Sequence, residues 1–592
     1  MSKPNATLGL GLGLSAAAGV VLGACSLAVN FVECRNDGDC LVQGGEWDCI
    51  EGRCVEPVGG SSTTTPDASS TGTPTTGVAT DPSSSSGPGT GTSSSTTAVD
   101  TGTDTGTDTG PLTCTLNTEC EAALGENNLC IAGTCVSALT ADCTKLTWPS
   151  KGASHDKVVL VASTMPISEP FASLTVPLQN AVQLAIEDYN ATTDLPGGNR
   201  IAWLACDDHG SVDSALAIAQ HITGTLQIQA LIGPLFSEQV VEVAKQVTVP
   251  AGVFTITPTA TAKPITTLKD NNLVWRPIAS DVYQANAIAD RVLALTNPAA
   301  TKVAMLGKDD VYGGGLVSDV TKRLSPLLKA GFKTWLYPDP VTLTPDELKM
   351  EYALILGQAW GGVGMHPDTL LFAGTSEVAN LVLGVMSAWG AENPLPAAPR
   401  MIVSHGAVPS METIVNLAPQ SIKALLMSTL EGIAPSIFDP QNFEAFNLRY
   451  RLRFNGVDAV TAGSLSYDAA MVTIFGIAAI PKDDPITGAA IAANMARMVD
   501  KKGTVVSFGD VDGINLTFIE TAHNALVTDK NIDLKGVSGE LDFDLTTGEV
   551  RTDVVGWGLV PKDMMPDVPV LTPKRLYVLN PAPAETGTWV DL

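Results

Sequence analysis

Residues 230–264, ALIGPLFSEQVVEVAKQVTVPAGVFTITPTATAKP, decide the fold. Ala230–Ile232 reads as a short buried strand, halted by Gly233-Pro234. Ser237 falls where a helix N-cap belongs. Val240, Val243, Ala244 and Val247 then repeat at i, i+3, i+4 and i+7, an apolar stripe suited to packing on a sheet. Val249-Pro250 reads as the end of that helix and Val253–Ile256, β-branched and aromatic, as the next strand. Thr257, Thr259 and Thr261 crowd the loop beyond it. If the two strands are parallel neighbours, the loops Gly233–Ser237 and Thr257–Thr261 emerge at one carboxyl edge, where open α/β sheets bind ligands. A helix N-terminus and several hydroxyls at that edge fit a small polar or anionic molecule. Ordinary turn chemistry uses the same residue types, and only the rest of the chain separates the two readings.

The composition narrows the classes. The chain has 592 residues, 44% hydrophobic and 16% charged, enough for several domains with large cores. A formal net charge of −28 argues against a nucleic-acid partner, because phosphate binding needs clustered Lys and Arg. Eleven cysteines point away from a reducing cytoplasm, and their spacing is informative.

Residues 1–24 carry Lys3, an apolar stretch of Ala, Gly, Leu and Val, and then Leu22-Gly23-Ala24-Cys25, the pattern of a secretory signal. The ending resembles a bacterial lipoprotein box, which implies a lipidated Cys25 as the mature N-terminus; a plain signal peptide and an uncleaved anchor are the alternatives. Residues 25–55 hold Cys34, Cys40, Cys49 and Cys54, and residues 114–142 hold Cys114, Cys120, Cys130 and Cys135 with nearly the same spacing. This is an internal repeat of two small units stapled by disulfides, each with three possible connectivities. The spacing and the oxidising setting disfavour zinc. Residues 56–113, almost wholly Ser, Thr, Gly, Pro and Asp, read as a disordered tether with a span of about 40 Å. Cys143 and Cys206 remain once the repeats and Cys25 are counted, so they are the economical pair for a further disulfide.

From Val158 onward strands alternate with helices: strands at Val158–Ala162 and Ile201–Leu204, helices at Val176–Tyr189 and Ala215–Ile222. A second series follows Val274-Trp275-Arg276-Pro277, with a helix near Ala285–Leu295, strands at Val303–Leu306, Thr369–Phe372 and Met401–Ser404, and a glycine turn at Tyr312–Gly315. Such alternation specifies parallel sheets, and two series specify two lobes. Phe443, Phe446, Tyr450 and Phe454 fit one helical stripe, Tyr467–Ile477 is an apolar helix, and the tail from Gly539 is β-rich.

AIEDYNATTDLPGGNRIAWLACDD, ALIGPLFSEQ with PAGVFTITPTAT, VWRPIASDVYQANAIADRV, KVAMLGKDDVYGGGL, LSYDAAMV and GVSGELDFD, in this order, resemble the type I periplasmic binding proteins. The likeness is to the branch that binds branched-chain amino acids and its receptor relatives, and runs from about Val158 to Leu559. It implies two Rossmann-like α/β lobes with parallel sheets, joined by hinge crossovers and closing on a ligand. Residues 143–592 would form this domain, lobe one from about 143–276 and 431–551, lobe two from about 277–430 and 552–592. The resemblance places ligand contacts at Ser237, Thr259 and Thr261 in lobe one and at Tyr312, Ser376 (or Thr375) and His405 in lobe two. Relatives receive the ligand ammonium on an acid where this chain has His405. That departure disfavours zwitterionic amino acids and favours uncharged or dicarboxylic solutes. Nearby Glu377 either substitutes for the acid or complements its helix dipole.

The implied function is an exported, lipid-anchored solute-binding protein. It would capture a small amino-acid-like or carboxylate ligand for an ABC permease or a sensor, and it needs no cofactor and no metal. No G-x-S-x-G, H-E-x-x-H, P-loop or Cys-His nucleophile pattern supports an enzyme. A surface adhesion or scaffold lipoprotein with a degenerate binding fold is the alternative.

Overall fold

The computed structural model describes residues 112–149, 154–297, 301–328, 331–361, 365–509, 515–563 and 565–592, and the backbone of 48–50 and 53–55. The signal segment 1–24, Cys25, Cys34, Cys40 and the tether up to residue 111 lie outside the described residues. In the first repeat, β1 (Asp48–Ile50) pairs antiparallel with β2 (Arg53–Val55), setting Cys49 opposite Cys54. In the second, the helix Asn117–Leu124 leads into β3 (Asn128–Ile131) and β4 (Thr134–Ser137), with Cys130 opposite Cys135. Its disulfides join Cys114 to Cys130 and Cys120 to Cys135. The shared spacing and the shared hairpin register predict Cys34–Cys49 and Cys40–Cys54 in the first unit. Non-reducing peptide mapping checks this, and a Cys34–Cys40 peptide would refute it.

The second repeat is not a free-standing bead. Leu129 and Ala138 are fully buried in a cluster with Ala162, Leu204, Ile218 and Ile222. Asn117 Nδ2 donates to His155 O at 2.7 Å, and His221 Nε2 lies 3.0 Å from Ala138 O. A unit too small for its own core thus borrows one from the neighbouring sheet.

That sheet comprises β5 (Lys145–Thr147), β6 (Val158–Met165), β7 (Arg200–Asp207), β8 (Ala230–Ile232), β9 (Phe254–Ile256) and β10 (Val274–Trp275). They lie in the order β10-β9-β8-β6-β7-β5, all parallel except β5. Cys143, just before β5, is bonded to Cys206 of β7. The second sheet contains β11 (Val303–Lys308), β12 (Phe332–Tyr337), β13 (Thr369–Ala373), β14 (Arg400–Ser404), β15 (Leu430–Pro435), β18 (Val554–Lys562), β19 (Met565–Leu579) and β20 (Gly587–Asp591). Its order is β12-β11-β13-β14-β15-β18-β19-β20, parallel through β15 and antiparallel beyond. A parallel pair, β16 (Thr504–Ser507) and β17 (Ile532–Lys535), stands apart.

Buried residues of 161–275 share one core with those of 446–550, so the chain returns to the first body after visiting the second. The crossings follow Trp275, follow Pro435 and precede Val554. Since β15 pairs with β14 as far as Ile433, this return comes after Pro435 rather than near residue 431. The helix Gly463–Ala478 is buried along its whole length. It is tied down by Asp468, which accepts from Val537 N and Ser538 N, each at 2.8 Å, and from Ser538 Oγ at 2.6 Å. The aromatic residues of the helix Pro440–Arg453 line one stripe, each ring tilted against the next, with Phe446 and Tyr450 in the core.

Three local readings need correction. Pro250 does not end its helix. The preceding turn, Ala244–Thr248, widens to i→i+5 spacing with Val249 N bonded to Ala244 O, which accommodates a residue lacking an N–H. The helix runs on to Ala251 and stops at Gly252, φ 72°. The expected glycine turn at Tyr312–Gly315 is instead the start of the helix Gly313–Leu324. Glycine is needed there for close approach, since a Cβ on Gly313 would lie 2.4 Å from Lys308 O. Ser237 is the first helical residue, not the N-cap, which is Phe236. Among the described residues no helix is long and apolar enough to cross a membrane.

Candidate functional site

The parallel strands of both sheets deliver their carboxyl-end loops to one cleft. On the first side, β8 and β9 are neighbours, Ile232 opposite Ile256, and Gly233 N donates to Ile256 O at 2.8 Å. Gly233 has φ 105°, and a Cβ there would fall 2.2 Å from Thr164 O, so only glycine lets the chain turn this close to β6. The two loops are stitched together by their own hydroxyls. Thr257 Oγ1 donates to Pro234 O at 2.7 Å, Thr259 Oγ1 donates to Leu235 O at 2.9 Å, and Ser237 Oγ accepts from Ala262 N at 3.2 Å. The Thr261 hydroxyl, fully buried, lies against the Asp281 carboxyl without a well-formed hydrogen bond. Burial pushes Asp281 up to about 7, with the Thr261 hydroxyl and the Arg276 charge pulling the other way.

Ser237 is therefore first a strut. Ser237→Ala would leave the buried Ala262 N–H unpaired and is expected to cost about 1–3 kcal/mol, read as a lowered denaturation midpoint. An unchanged midpoint would mean that the N–H finds water.

On the second side, Tyr312 precedes the helix Gly313–Leu324, and His405 follows β14. Tyr312 OH donates to Ser404 Oγ at 2.6 Å and lies 3.0 Å from His405 Nδ1. Gln284, on the helix Asp281–Leu295, clamps His405 from the other direction: His405 N donates to Gln284 Oε1 at 3.1 Å, and Gln284 Nε2 lies 3.0 Å from His405 Nδ1. Burial lowers the His405 pKa to about 4, against a smaller opposing pull from the Thr259 backbone, so the ring is neutral at ordinary pH. Ser376 is half-buried at the start of the next helix, its carbonyl accepting from Ala379 N, and no hydrogen bond joins its side chain to Tyr312 or His405. Glu377 is fully engaged within its own lobe. It accepts from Tyr337 OH at 2.9 Å, from Thr375 N at 2.8 Å, and from Thr375 Oγ1.

The lobes touch in the cleft. Val311 packs on the cluster of Val240, Ala260 and Ile265, Lys308 Nζ stands 5.3 Å from the Phe236 ring centroid, and His405 lies against the Thr259 backbone without a well-formed hydrogen bond. Burial alone would lower the Lys308 pKa; Asp310 at 2.8 Å, Glu377 and Asp339 more than reverse this and hold it charged. Thus Tyr312 and His405 are brought together with Thr259 against them, Ser237 braces the first-lobe loops, Thr261 lies by Asp281, and no hydrogen bond joins Ser376 to the group. Gln284, Lys308 and Phe236 escape a sequence reading. The signals for the first two were a polar residue on the buried face of an amphipathic helix and a lysine ending an apolar strand.

Two α/β bodies with parallel sheets, crossed repeatedly by the chain and facing each other through their carboxyl-end loops, form the fold of the type I periplasmic binding proteins. Residues 159–351 match the family model described as periplasmic binding protein. The fold likeness extends over the body of the chain. It is similar to the leucine-binding protein LivK from Thermotoga maritima MSB8, with 16% identity over 71% of this chain and 98% of that one, TM-score 0.50. It is similar to a solute-binding protein of an ABC transporter from Rhodopseudomonas palustris BisB5 in complex with 3,4-dihydroxybenzoic acid, with 14% identity over 72% and 99%, TM-score 0.50. An amino acid ABC transporter substrate-binding protein from Pseudomonas fluorescens Pf-5 shows 15% identity over 73% and 99%, TM-score 0.51. No curated protein matches the sequence.

Proposed function

We propose that the chain is an extracytoplasmic solute-binding protein that captures a small polar molecule between its lobes and hands it to an ABC permease or a sensor. The observation carrying this reading is that Tyr312 and His405, 3.0 Å apart on two carboxyl-end loops of the second lobe, stand beside the Val311 and Lys308 contacts with the carboxyl-end loops of the first. Ser237, Thr259, Thr261, Tyr312, Ser376 and His405 are the ligand-site residues in this reading. Ser237 acts by holding the loop backbone, whose N–H groups at the start of the helix Ser237–Val243 favour an electron-rich group, and Thr261 acts through a hydroxyl set beside the Asp281 carboxyl. The leucine named for the Thermotoga protein and the dihydroxybenzoate in the Rhodopseudomonas complex define the size range. Cys25 carries the lipid anchor, and residues 56–113 lift the binding body off a bacterial membrane. The domain bounds of the sequence reading apply, with the return crossing moved past Pro435. Closure requires contacts with both lobes, because a ligand shifts the open–closed balance only through its differential affinity for the two states.

Native mass spectrometry of the mature full chain tests the reading. A co-purified small molecule that is lost on mild unfolding is the expected result. A bare protein that also fails to bind any of a panel of amino acids, carboxylates and hydroxybenzoates would favour the scaffold alternative.

A further inference from the structure

Lys308 ends β11 as a buried residue, 3% exposed, with its ammonium at the cleft. Lobe two supplies two of its partners. Asp310 Oδ2 stands 2.8 Å from Nζ and Asp339 Oδ2 3.5 Å. Each acid is fixed through its other oxygen: Asp310 Oδ1 accepts from Gly313 N at 2.6 Å, and Asp339 Oδ1 from Val341 N at 3.2 Å. The third partner comes from lobe one. It is the Phe236 ring, whose centroid lies 5.3 Å from Nζ, inside the range of about 6 Å for a cation on an aromatic face. Lobe one sets that ring in turn. Phe171 meets it edge to face at 5.1 Å, and Gly210 leaves Phe171 its room, since a Cβ there would fall 2.5 Å from the Phe171 ring. Carboxylates from one lobe and an aromatic face from the other are the chemistry that recognises an ammonium.

We propose that Lys308 is a tethered ammonium filling this corner: it latches lobe two to lobe one with no solute bound, and it bars the corner to a solute's own ammonium. The second half rests on the cleft being the solute site; the first does not. Asp310 and Asp339 travel with Lys308 when the lobes part, whereas the Phe236 face is gained only on closure. The contact is therefore made in one state alone and shifts the balance toward it. Exclusion follows from charge. A second ammonium brought to the Phe236 face would meet Lys308 at close range, like against like, where little water screens them. A solute without an ammonium meets no such repulsion.

The test uses the mature full chain, freed of any solute. Phe236→Leu keeps an apolar side chain and leaves the Lys308 ion pairs in place. In small-angle scattering it should give a larger radius of gyration than the wild type, while Phe236→Tyr, which keeps the aromatic face, should not. Adding Lys308→Ala to Phe236→Leu should enlarge the radius no further, because both changes remove the same contact. Lys308→Ala alone lacks the equivalent of propylammonium, and at about pH 7 propylamine is almost wholly protonated. Millimolar propylammonium should raise the melting temperature of this variant by a few degrees and return its radius to the wild-type value. Propanol, of the same shape without the charge, should do neither, and the wild type should respond to neither compound. Equal radii for Phe236→Leu and the wild type, equal rescue by propanol, or an equal response of wild type and Lys308→Ala to propylammonium overturns the proposal. Should Lys308→Ala not fold, the Phe236 pair decides, and equal radii for the leucine and tyrosine variants would overturn the latch. A wild type that binds no solute, with a radius that still follows Phe236, would remove the transport reading and leave the latch. A co-purified solute with radii indifferent to Phe236 would do the reverse.

Discussion

Arg276→Met should lower the stability of the chain by about 3–5 kcal/mol, the range for removing one partner of a buried ion pair. Arg276 is 1% exposed at the first crossing between the lobes. Its Nε donates to Glu549 Oε2 at 2.9 Å and its Nη2 binds the same oxygen. Nη1 donates to Ala260 O and Ala262 O at 3.1 and 3.3 Å, and Nη2 donates to Thr266 Oγ1 at 2.7 Å. Methionine fills much of the volume but answers none of these acceptors. It strands a buried carboxylate and frees the carbonyls on either side of Thr261, so the ligand loop loosens along with the hinge. The double variant Arg276→Met, Glu549→Leu should recover a large part of the loss, because burying two apolar groups avoids the unpaired charge. Urea denaturation midpoints of the three proteins decide this. A single variant within 1 kcal/mol of the wild type, or a double variant no better than the single one, would show that water reaches Glu549.

Neither Arg276 nor its partner was legible as a pair, and the reason is distance along the chain. Glu549 is 273 residues away, in a tail whose local pattern reads only as strands. What periodicity does convey is the alternation of apolar strands and amphipathic helices from Val158 onward, and that was sufficient for two parallel sheets and for the adjacency of β8 and β9. β12 is an edge strand, FKTWLY, mostly open to water; without an apolar run it gives no signal. The hydroxyls of Ser237, Thr257 and Thr259 were visible as a cluster, but not their direction. Each bonds a backbone group 23–25 residues away, so what looks from the sequence like ligand chemistry is partly the scaffold of the loops. His405 stood out only because it departs from a family pattern; Gln284, which clamps it, had no such contrast.

Removing the Cys143–Cys206 bridge should cost about 4 kcal/mol at most. The two cysteines are separated by 63 residues, and in the chain-entropy model a loop of that length restricts the unfolded chain by about that amount. The native side of the balance should change little. Lys145 and Leu146 of β5 stay paired with Ala205 and Leu204 of β7, Asp207 N still donates to Asp142 O at 2.7 Å, and the apolar cluster around both sulfurs also holds Leu129, Leu204 and Ile218. Cys143→Ala, Cys206→Ala is therefore expected to fold, with a lower denaturation midpoint and faster amide exchange confined to Lys145–Thr147 and the second repeat docked beside it. Both cysteines are fully buried, so reductant should leave the folded wild type intact and act only once denaturant opens the first lobe. The reduced wild type should then match the double alanine variant in midpoint. A variant whose midpoint equals that of the oxidised wild type would show that β5 and the docked repeat are held by packing alone. Ready reduction in the native state would place the bridge in a segment that opens on its own, independent of the sheet it staples.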